Sequence, residues 1–332
     1  MNILFNCPNL FVKGNITESK LGGIESLTLA LAKELSNKKI KVSITTNQNK
    51  IKIKNKIRII PINDLKKKPN KFIFDTIISS NDALIFNYFP QCKNKILWLH
   101  NILQIEKSIR KKQLFSIIKN NLKVVLVSNY LNGKTSKLFF FKERIVINNF
   151  LLPEFTKQKK NFKREPIFVW SVQREKGLNE TIKMWIKDIF PFSKNCKFFI
   201  YGIEKFSSIY DKKYLKKKNI FLKGRVSKKE LIKTYKKSTA MICLGHDETF
   251  CLNALEANSC GLPVITFGKT ALKDYVKNNF NGFVVKNYNE IAKKILFLSN
   301  LTNKNKLIHN SVLKTKKFYL NRIIQSWLKL LK

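Results

Sequence analysis

The feature that most constrains the fold is an alternation between short apolar runs and longer amphipathic segments, which occurs twice along the 332 residues. Strands that alternate with helices are typical of parallel sheets with helices on both faces. The chain is therefore predicted to be an α/β protein with two doubly wound sheets that face each other across a cleft. Strands are predicted at Ile3–Asn6, Val42–Thr46, Ile57–Ile62, Ala83–Tyr88, Ile96–His100 and Val124–Ser128 in the first half, and at Ile167–Ser171, Lys197–Gly202, Ile220–Gly224, Ala240–Leu244, Pro263–Phe267 and Gly282–Val285 in the second.

The segment Asn148–Lys160 separates the two series of strands. It combines Pro153 with a polar, lysine-rich run, which is typical of a linker between domains. The first domain is predicted to span residues 1–155 and the second 156–316, followed by a helical segment at 317–332. One helix is predicted over Leu103–Asn120, and another begins near Phe250 and ends at Gly261.

Length and composition narrow the class of protein. With 44% hydrophobic residues, the chain has enough apolar material for ordinary cores. No apolar run approaches the roughly 20 residues that span a bilayer, and the first residues, MNILFNCPNL, lack the features of a secretory signal. The six cysteines are scattered without a CxxC pair, which favours a reducing cytoplasm and argues against a zinc site or a disulfide framework.

The charge is strongly positive, with 65 Lys+Arg against 21 Asp+Glu and a formal net charge of +44. Such a balance attracts nucleic acid, anionic membranes or phosphorylated substrates. Most of these residues are lysines spread along the chain, and no nucleic-acid-binding motif accompanies them. The basic side of the predicted helix Leu103–Asn120 is either a surface that contacts anionic lipid or an ordinary solvated face. Its basic residues are Lys107, Arg110, Lys111 and Lys112.

The segment His246–Pro263, HDETFCLNALEANSCGLP, carries two acids eight residues apart. Glu248 precedes the predicted helix, and Glu256 lies within it on a different face from the apolar Leu252 and Leu255. The start of a helix has unpaired N–H groups and a positive dipole end, which favour an anion. The two acids are therefore either ligands for a polyhydroxylated, phosphorylated molecule, or a capping acid and a solvated helix residue.

Other helix starts suit the same kind of ligand. Gly22 and Gly23 lie between the first strand and its helix, where they either let a ligand approach the backbone or serve only a turn. Arg174 and Lys176, at the corresponding place in the second half, suit a diphosphate. His100 ends a strand, where open α/β sheets bind ligands, although a structural histidine is the alternative.

Basic groups and amides for a diphosphate, with acids for ribose and sugar hydroxyls, together describe a sugar-nucleotide site. No acidic pair of the DxD type ends a strand, so no divalent metal is predicted. No Ser-His-Asp or Cys-His arrangement is evident, and transfer of a glycosyl group would not need one.

This set of residues resembles the family 4 (GT4) retaining glycosyltransferases of the GT-B fold. The stretch ETFCLNALEANSCGLPVI is similar to that family's E-x7-E motif, with Glu248 and Glu256 as the two acids. The resemblance implies two Rossmann-like domains, the first on the acceptor side and the second binding the nucleotide sugar. It also implies that Phe318–Leu331 returns to the first domain as a C-terminal helix. Further matches are Gly22-Gly23-Ile24-Glu25, His100, Ser128-Asn129-Tyr130, Lys176-Gly177 and Gly224-Arg225-Val226.

The same resemblance implies roles for the residues. Glu256 would hold the donor ribose hydroxyls, Glu248 would face the donor sugar, and Lys176 would neutralise the leaving diphosphate. The reaction would retain anomeric configuration through front-face attack, with no protein nucleophile, cofactor or metal. The catalytic residues implied are His100, Lys176 and Glu248, and the donor-binding residues are Gly22, Gly23, Arg174, Lys176, Arg225, Val226, Glu248, Thr249, Phe250, Cys251, Leu252 and Glu256.

The chain departs from the family pattern in three places. Trp170 and Ser171 stand where the family often has Gly-Arg before its lysine, so Arg174 is a candidate for the missing charge. Cys251 replaces a glycine after the phenylalanine of the motif, which predicts a different fit of the sugar near that backbone. The stretch Thr270–Asp274 replaces a Gly-Gly-x-Pro-Glu segment.

The sequence therefore predicts a cytoplasmic, hexosyltransferase-like enzyme. It would move a sugar from a nucleoside-diphosphate sugar to a hydroxyl of a growing cell-surface glycan or glycolipid, of the lipopolysaccharide or polysaccharide type. The predicted partners are this donor and a glycan or lipid-linked acceptor, without nucleic acid, and a peripheral contact with the inner face of an anionic membrane is left open. One alternative is a polyanion-binding protein on a catalytically lapsed GT-B scaffold, and another is a sugar-nucleotide epimerase or a phosphorylase on the same fold.

Overall fold

The computed structural model of the protein describes residues 1–8, 10, 21–47, 52–54, 56–156, 163–172, 177–203, 210–245, 247–300 and 304–332. The chain divides into two compact units. The first comprises Met1–Leu152 together with Leu320–Lys332, and the second comprises Pro153–Tyr319. Within the described ranges, every helix is too short or too polar to cross a membrane.

The elements follow one another as alternating strands and helices. The strands are β1 (Asn2–Asn6), β2 (Lys41–Thr46), β3 (Lys52–Lys54), β4 (Ile57–Pro61), β5 (Thr76–Ser80), β6 (Asn94–Leu99), β7 (Lys123–Leu126), β8 (Glu143–Val146), β9 (Ile167–Trp170), β10 (Lys197–Tyr201), β11 (Ile220–Gly224), β12 (Ala240–Ile242), β13 (Val264–Thr266) and β14 (Gly282–Val284). The α-helices are α1 (Gly23–Asn37), α2 (Ile62–Lys67), α3 (Ile105–Arg110), α4 (Leu114–Lys119), α5 (Asn129–Lys134), α6 (Pro153–Thr156), α7 (Leu178–Met184), α8 (Lys212–Lys217), α9 (Lys228–Lys237), α10 (Leu252–Ser259), α11 (Tyr288–Asn300), α12 (Asn305–Thr315) and α13 (Leu320–Leu331). Short 3-10 helices lie at Pro69–Lys71, Leu84–Tyr88, Ala271–Asp274 and Lys316–Phe318, and a π-helical turn, Trp185–Ile189, continues α7.

The first unit contains an eight-stranded sheet in the order β3-β4-β2-β1-β5-β6-β7-β8. All neighbouring pairs are parallel except β3 with β4. The central strand β1 is apolar without alternation because both of its faces are covered, and Ile3, Leu4 and Phe5 are fully buried. The predicted α/β class is therefore confirmed for this half.

The last helix, α13, belongs to the first unit. Its buried side is formed by Ile324, Trp327, Leu330 and Leu331, which recur at helical spacing. The indole ring of Trp327 packs edge-on against that of Trp98 on β6, with the ring centroids 5.0 Å apart. Burial of two such rings supplies much of the apolar contact that holds the chain terminus against this sheet.

The predicted strand at Ala83–Tyr88 is wrong, because Leu84–Tyr88 is a 3-10 helix and the strand lies at Thr76–Ser80 instead. Sequence pattern favoured the apolar run over a strand that ends in two serines. The structure buries Ser79, whose hydroxyl receives a hydrogen bond from Asn6 (2.9 Å) and donates to the carbonyl of Asp82. Polar residues at a strand end are stable when such partners are present, and a short apolar run is ambiguous by pattern alone.

The single helix predicted over Leu103–Asn120 is also wrong, since the structure contains α3 and α4 with a break between them. Lys112 adopts a left-handed conformation (φ 55°), which ends α3. The side chain of Gln113 then turns inward and accepts a hydrogen bond from the backbone N–H of Ala83 at 3.1 Å. This tertiary contact, which is 30 residues distant in sequence, explains why helical periodicity alone did not reveal the break.

The second unit contains a six-stranded, fully parallel sheet in the order β11-β10-β9-β12-β13-β14. From β9 the chain adds β10 and β11 on one side, then returns through α9 to place β12 on the other side of β9. Ser227 caps α9, because its hydroxyl accepts a hydrogen bond from the backbone N–H of Glu230 at 3.2 Å. The doubly wound order gives this half a topological switch point between β9 and β12.

Arg164 joins the C-terminal ends of α9 and α10 in the second unit. Its Nη1 donates to the backbone carbonyls of Tyr235 (2.5 Å) and Ser238 (2.8 Å), and its Nη2 donates to those of Cys260 and Gly261, both at 2.9 Å. Burial lowers the pKa of this guanidinium to about 10. A cation at two helix C-termini satisfies their last carbonyls and complements both helix dipoles.

We expect Arg164→Met to lower the free energy of unfolding of the second unit by about 2–4 kcal/mol, because several charge-assisted hydrogen bonds are lost and buried carbonyls are left unsatisfied. The measurement is a urea unfolding curve followed by tryptophan fluorescence. The matched control is Lys163→Met, at the exposed neighbouring position. Equal midpoints for the two variants would contradict the structural role assigned to Arg164.

Candidate functional site

The candidate site of the second unit lies at the carboxyl edge of its sheet, at the switch point between β9 and β12. Loops that follow these two adjacent strands run to opposite sides of the sheet, which leaves a crevice where α/β proteins bind ligands. The loop after β9 reaches Gly177, and the loop after β12 contains the two-acid motif. Gly177 has a positive φ of 85°, and a Cβ atom there would lie 3.7 Å from the Cβ atom of Leu244, so the two loops are in contact.

Glu248 folds back over the backbone of Gly245. A Cβ atom at Gly245 would lie 2.7 Å from Cγ and 3.0 Å from Oε1 of Glu248, so glycine leaves the space that this side chain occupies. The carbonyl of Glu248 accepts a hydrogen bond from the backbone N–H of Ala271 at 3.1 Å. The loop after β13 therefore supports the segment that carries this acid, although its sequence differs from the family pattern.

The helix after Glu248 begins later than predicted, at Leu252 rather than near Phe250. Cys251 precedes it in a left-handed conformation (φ 61°, ψ 73°), which a non-glycine residue adopts only when its surroundings hold it there. The hydroxyl of Tyr275 donates to the carbonyls of Phe250 (3.2 Å) and Cys251 (2.8 Å). Gly261, just beyond the other end of α10, has a φ of 71°, so the predicted end of the helix is confirmed and has a left-handed cap.

The side chain of Cys251 is directed into the protein interior. Its Sγ atom lies 3.4 Å from Sγ of Cys243, and both residues are buried. Replacement of a glycine by cysteine therefore leaves the backbone of this helix start uncovered by the thiol. The ring of Phe250 packs against those of Tyr275 and Phe318, at centroid distances of 6.0 and 5.7 Å.

Glu256 is buried, with 8% of its surface exposed, so its interpretation as a solvated helix residue is wrong. Within the described part of the chain, no group donates a hydrogen bond to its carboxyl. Burial raises the pKa of Glu256 from 4.5 to about 8, while the charge of Lys228 lowers it and that of Glu154 raises it. A buried carboxyl whose ionised form is disfavoured by its surroundings is typical of a functional site.

A second set of buried contacts connects α10 to β9. The Nδ2 atom of Asn253 donates a hydrogen bond to the carbonyl of Ser171. The hydroxyl of Ser171 lies 2.7 Å from that of Tyr235 on α9, and both side chains are buried. The position where the family often has an arginine is therefore part of the interior.

In the first unit, His100 follows β6 and is buried against Trp98, with a distance of 4.5 Å between ring centroids. Its backbone N–H donates to Oδ1 of Asn81 at 2.8 Å. Burial lowers the pKa of the imidazole to about 3. His100 is therefore neutral at physiological pH and suits hydrogen bonding rather than proton donation from an imidazolium.

The predicted glycine pair lies at the start of α1, with Gly22 as its N-cap and Gly23 as its first residue. The carboxylate of Glu25 occupies the space where a Cβ atom of Gly22 would be. The space that glycine leaves open is thus filled by the side chain of Glu25. Glu25 is at the N3 position of the helix, where an acid is favoured.

The remaining predicted residues are distributed as follows. Arg225 is exposed and Val226 half-buried, in the loop between β11 and α9, three and two residues before Lys228. Arg174 and Lys176 lie outside the described residues. The structure thus brings Thr249, Phe250, Cys251, Leu252, Glu248 and Glu256 together on one loop and helix.

Sequence reasoning missed the residues that surround Glu256. Lys228 follows a helix cap, and Glu154 lies in a segment that the sequence indicates to be a linker. The sequence pattern therefore marks neither residue as part of a site. Their side chains form an ion pair with Nζ and Oε1 3.1 Å apart. Among the described residues, no group of three or more histidine, cysteine, aspartate or glutamate side chains is placed to hold a metal ion.

The pKa of Glu256 makes a prediction for stability. The folded protein keeps this carboxyl protonated up to about pH 8, whereas the unfolded chain loses the proton above about 4.5. The folded state therefore binds more protons in this range, and its stability falls as the pH rises. We expect Glu256→Gln, which cannot ionise, to gain on the order of 3–5 kcal/mol relative to wild type between pH 4.5 and 8.5.

The measurement is urea unfolding of both proteins at the two pH values. Glu230→Gln, which removes an exposed carboxyl on α9, is the control and should show no such gain. A constant difference between wild type and Glu256→Gln at both pH values would contradict the burial of an ionisable carboxyl.

Comparison with known proteins agrees with this geometry. Residues 154–312, which lie within the second unit, match the sequence model of the family described as Glycosyl transferases group 1. No curated protein sequence matches the chain significantly.

Several solved structures share the fold. A mutant of S. aureus TarM in complex with UDP is 21% identical, with a TM-score of 0.63, and the match covers 82% of this chain and 58% of TarM, so this chain spans less than two thirds of that protein. Anabaena HepE in complex with UDP-glucose is 14% identical, with a TM-score of 0.71, over 100% of this chain and 99% of HepE. WaaG, a glycosyltransferase involved in lipopolysaccharide biosynthesis, is 12% identical, with a TM-score of 0.70, over 99% of both chains.

These identities show likeness of fold, while the family match is in sequence and includes both acids of the motif. Residues 154–312 of the second unit thus match the glycosyltransferase group 1 family, and the chain has the two-sheet GT-B fold.

Proposed function

We propose that this enzyme is a retaining, metal-independent glycosyltransferase of the GT4 type. It would transfer a sugar from a nucleoside-diphosphate sugar to a hydroxyl group of a growing cell-surface glycan or glycolipid. The observation that carries the proposal is the buried carboxyl of Glu256, which lacks a hydrogen-bond donor among the described residues, on the helix that follows Glu248. Support for the classes of donor and product comes from HepE, which was solved with UDP-glucose, and from WaaG, which acts in lipopolysaccharide biosynthesis.

In this proposal, the Glu256 carboxylate accepts hydrogen bonds from two ribose hydroxyls, which complete its hydrogen bonding. Glu248 faces the donor sugar, and the backbone N–H groups at the start of α10 face the diphosphate. Lys176 neutralises the negative charge that develops on the leaving diphosphate. The acceptor oxygen bonds to the anomeric carbon as the bond to phosphate breaks, and a phosphate oxygen takes the acceptor proton.

The experiment is a thermal-shift screen with a panel of uridine, guanosine and adenosine diphosphate sugars. We expect at least one donor to raise the melting temperature of wild type, and Glu256→Ala to lose that shift because the ribose contact is absent. Glu230→Ala is the control for removal of an acid from the same unit. Because Glu256→Ala removes a buried side chain, Glu256→Gln is tested in parallel, and each variant is first shown to unfold cooperatively without ligand.

A shift of unchanged size in both Glu256 variants would contradict the ribose contact. Absence of a shift for every donor in wild type would contradict the proposed donor class. Formation of a glycosylated product with the inverted anomeric configuration would contradict retention.

We also propose that the first unit contacts the inner face of an anionic membrane, where a lipid-linked acceptor would be available. The helices α3 and α4 expose three large apolar side chains, Ile109 (56%), Phe115 (70%) and Ile118 (66%), which would be unfavourable in water without a partner. Basic residues accompany them, and Nζ of Lys119 lies 5.9 Å from the centre of the Phe115 ring. Apolar groups among cations match the interface of an anionic bilayer. The other basic residues of these helices and their connection are Lys107, Arg110, Lys111 and Lys112.

We expect the double variant Phe115→Ser with Ile118→Ser to reduce binding to vesicles of phosphatidylglycerol and phosphatidylcholine about tenfold or more, by loss of apolar insertion. Lys111→Glu with Lys112→Glu should weaken binding through charge. Phe192→Ser, at an exposed phenylalanine of the second unit, is the control. Binding that survives both double variants would contradict this surface, and equally tight binding to RNA would favour the polyanion-binding alternative.

A further inference from the structure

Three elements of the second unit bring charged groups together around Glu256. Lys228 is the first residue of α9, and its ammonium pairs with the carboxylate of Glu154 on α6 at 3.1 Å. α6 packs directly against α10, which carries Glu256. Tyr235 lies seven residues after Lys228, on the same side of α9, and its hydroxyl is subject to the charge of Glu256. Glu256 therefore lies on a helix that packs against α6, within the electrostatic range of Lys228 and Tyr235 on α9.

Among the residues that the structure describes, four ionisable groups are near Glu256. Lys228 and Tyr235 face it from α9, Glu154 faces it from α6, and Cys260 follows it at the end of α10. β13 and α12 also pack against α10. The residues of β13 and the buried residues of α12 are not ionisable. Lys228 is thus the cation that can compensate a charge on Glu256 within the described residues.

A buried carboxyl binds two hydroxyl groups best as a carboxylate, since the ionised form is the stronger hydrogen-bond acceptor. Ionisation of a buried group requires an opposite charge nearby. The ion pair of Lys228 is partly solvated, with side-chain exposures of 25% for Lys228 and 34% for Glu154. Its ammonium can therefore act on two carboxylates, and Glu154 competes with Glu256 for its charge.

We propose that Lys228 is a positioning residue for donor binding, because its ammonium, paired with Glu154 on the helix that packs against α10, supplies the charge that lets Glu256 bind the donor ribose as a carboxylate. This inference rests on the proposed function of Glu256. It adds that two residues outside the donor contacts, Glu154 and Lys228, set the affinity for the donor. It also makes affinity dependent on pH near neutrality.

The sign of the pH dependence follows from the ionisation of Glu256. Below its pKa of about 8, only a fraction of the free protein carries the carboxylate. Affinity should therefore rise about tenfold from pH 6 to pH 7 and about fivefold from pH 7 to pH 8 in wild type. Over the same pH range, donor binding should release one proton, from the carboxyl of Glu256.

The decisive test uses two variants that break the same ion pair with opposite expected effects. Lys228→Met removes the compensating cation, so the pH at which affinity is half-maximal should move upward, with about tenfold weaker binding at pH 7. Glu154→Gln removes the competing anion, so this midpoint should move downward and binding at pH 7 should tighten severalfold. A purely structural ion pair predicts losses of the same sign in both variants.

The measurement is titration calorimetry of the full-length protein with UDP-glucose and with GDP-mannose at pH 6.0, 7.0 and 8.0. Both probes are phosphate diesters, so their phosphates do not titrate in this range. Lys228→Arg keeps the charge and should keep the wild-type pH profile, which separates charge from loss of folding. Lys229→Met, at the exposed neighbouring lysine of α9, is the matched control and should also keep it.

Shifts of the same sign in Lys228→Met and Glu154→Gln, or a wild-type pH profile in Lys228→Met, would overturn the inference. Either outcome would leave the proposed function standing if Glu256→Ala still loses donor binding. If wild type binds neither probe and no donor of the thermal-shift panel, the proposed function fails and this inference fails with it.

Discussion

The parallel pairing of β9 with β12 is the constraint on which the candidate site of this protein depends. Parallel strands end at the same edge of a sheet, so the loop that reaches Gly177 and the loop that carries Glu248 emerge side by side. The chain can pair β12 with β9 only by crossing back from β11, and α9 is that crossing. The same path brings Lys228 and Tyr235, the first residue and the eighth of α9, to Glu256. One topological feature thus produces the crevice and also brings Lys228 and Tyr235 near Glu256.

The packing around this crevice maintains an arrangement that folding alone would not favour. Glu256 is buried without a donor to its carboxyl among the described residues, and Cys251 is held in a left-handed conformation. Each is unfavourable by itself. Tyr275 holds the carbonyls of Phe250 and Cys251, and Arg164 holds the far ends of α9 and α10. Contacts of this kind stabilise a binding site whose own conformation and burial are unfavourable without a ligand.

Much of the fold could be predicted from sequence because its strands are short, apolar and regularly separated by amphipathic segments. The failures have a common cause. Ala83–Tyr88 looked like a strand because its apolar residues are consecutive, and β5 was overlooked because Ser79 and Ser80 are polar. The break between α3 and α4 depends on a hydrogen bond from Ala83 to the side chain of Gln113. Contacts between residues far apart in the chain decided each of these, and local periodicity carries no information about them.

The sequence by itself determined the two-acid motif, the helix that contains it, the left-handed end at Gly261 and the alternation that produces two parallel sheets. These are local properties, because capping, glycine conformation and apolar periodicity act over a few residues. Only the tertiary structure decided that Glu256 is buried, that the thiol of Cys251 points to Cys243, and that Glu154 and Lys228 lie beside the motif. Burial and charge compensation are set by which elements pack together, and that depends on the order of strands in the sheet. The acids were visible in the sequence, while their chemistry was decided by their neighbours in the folded protein.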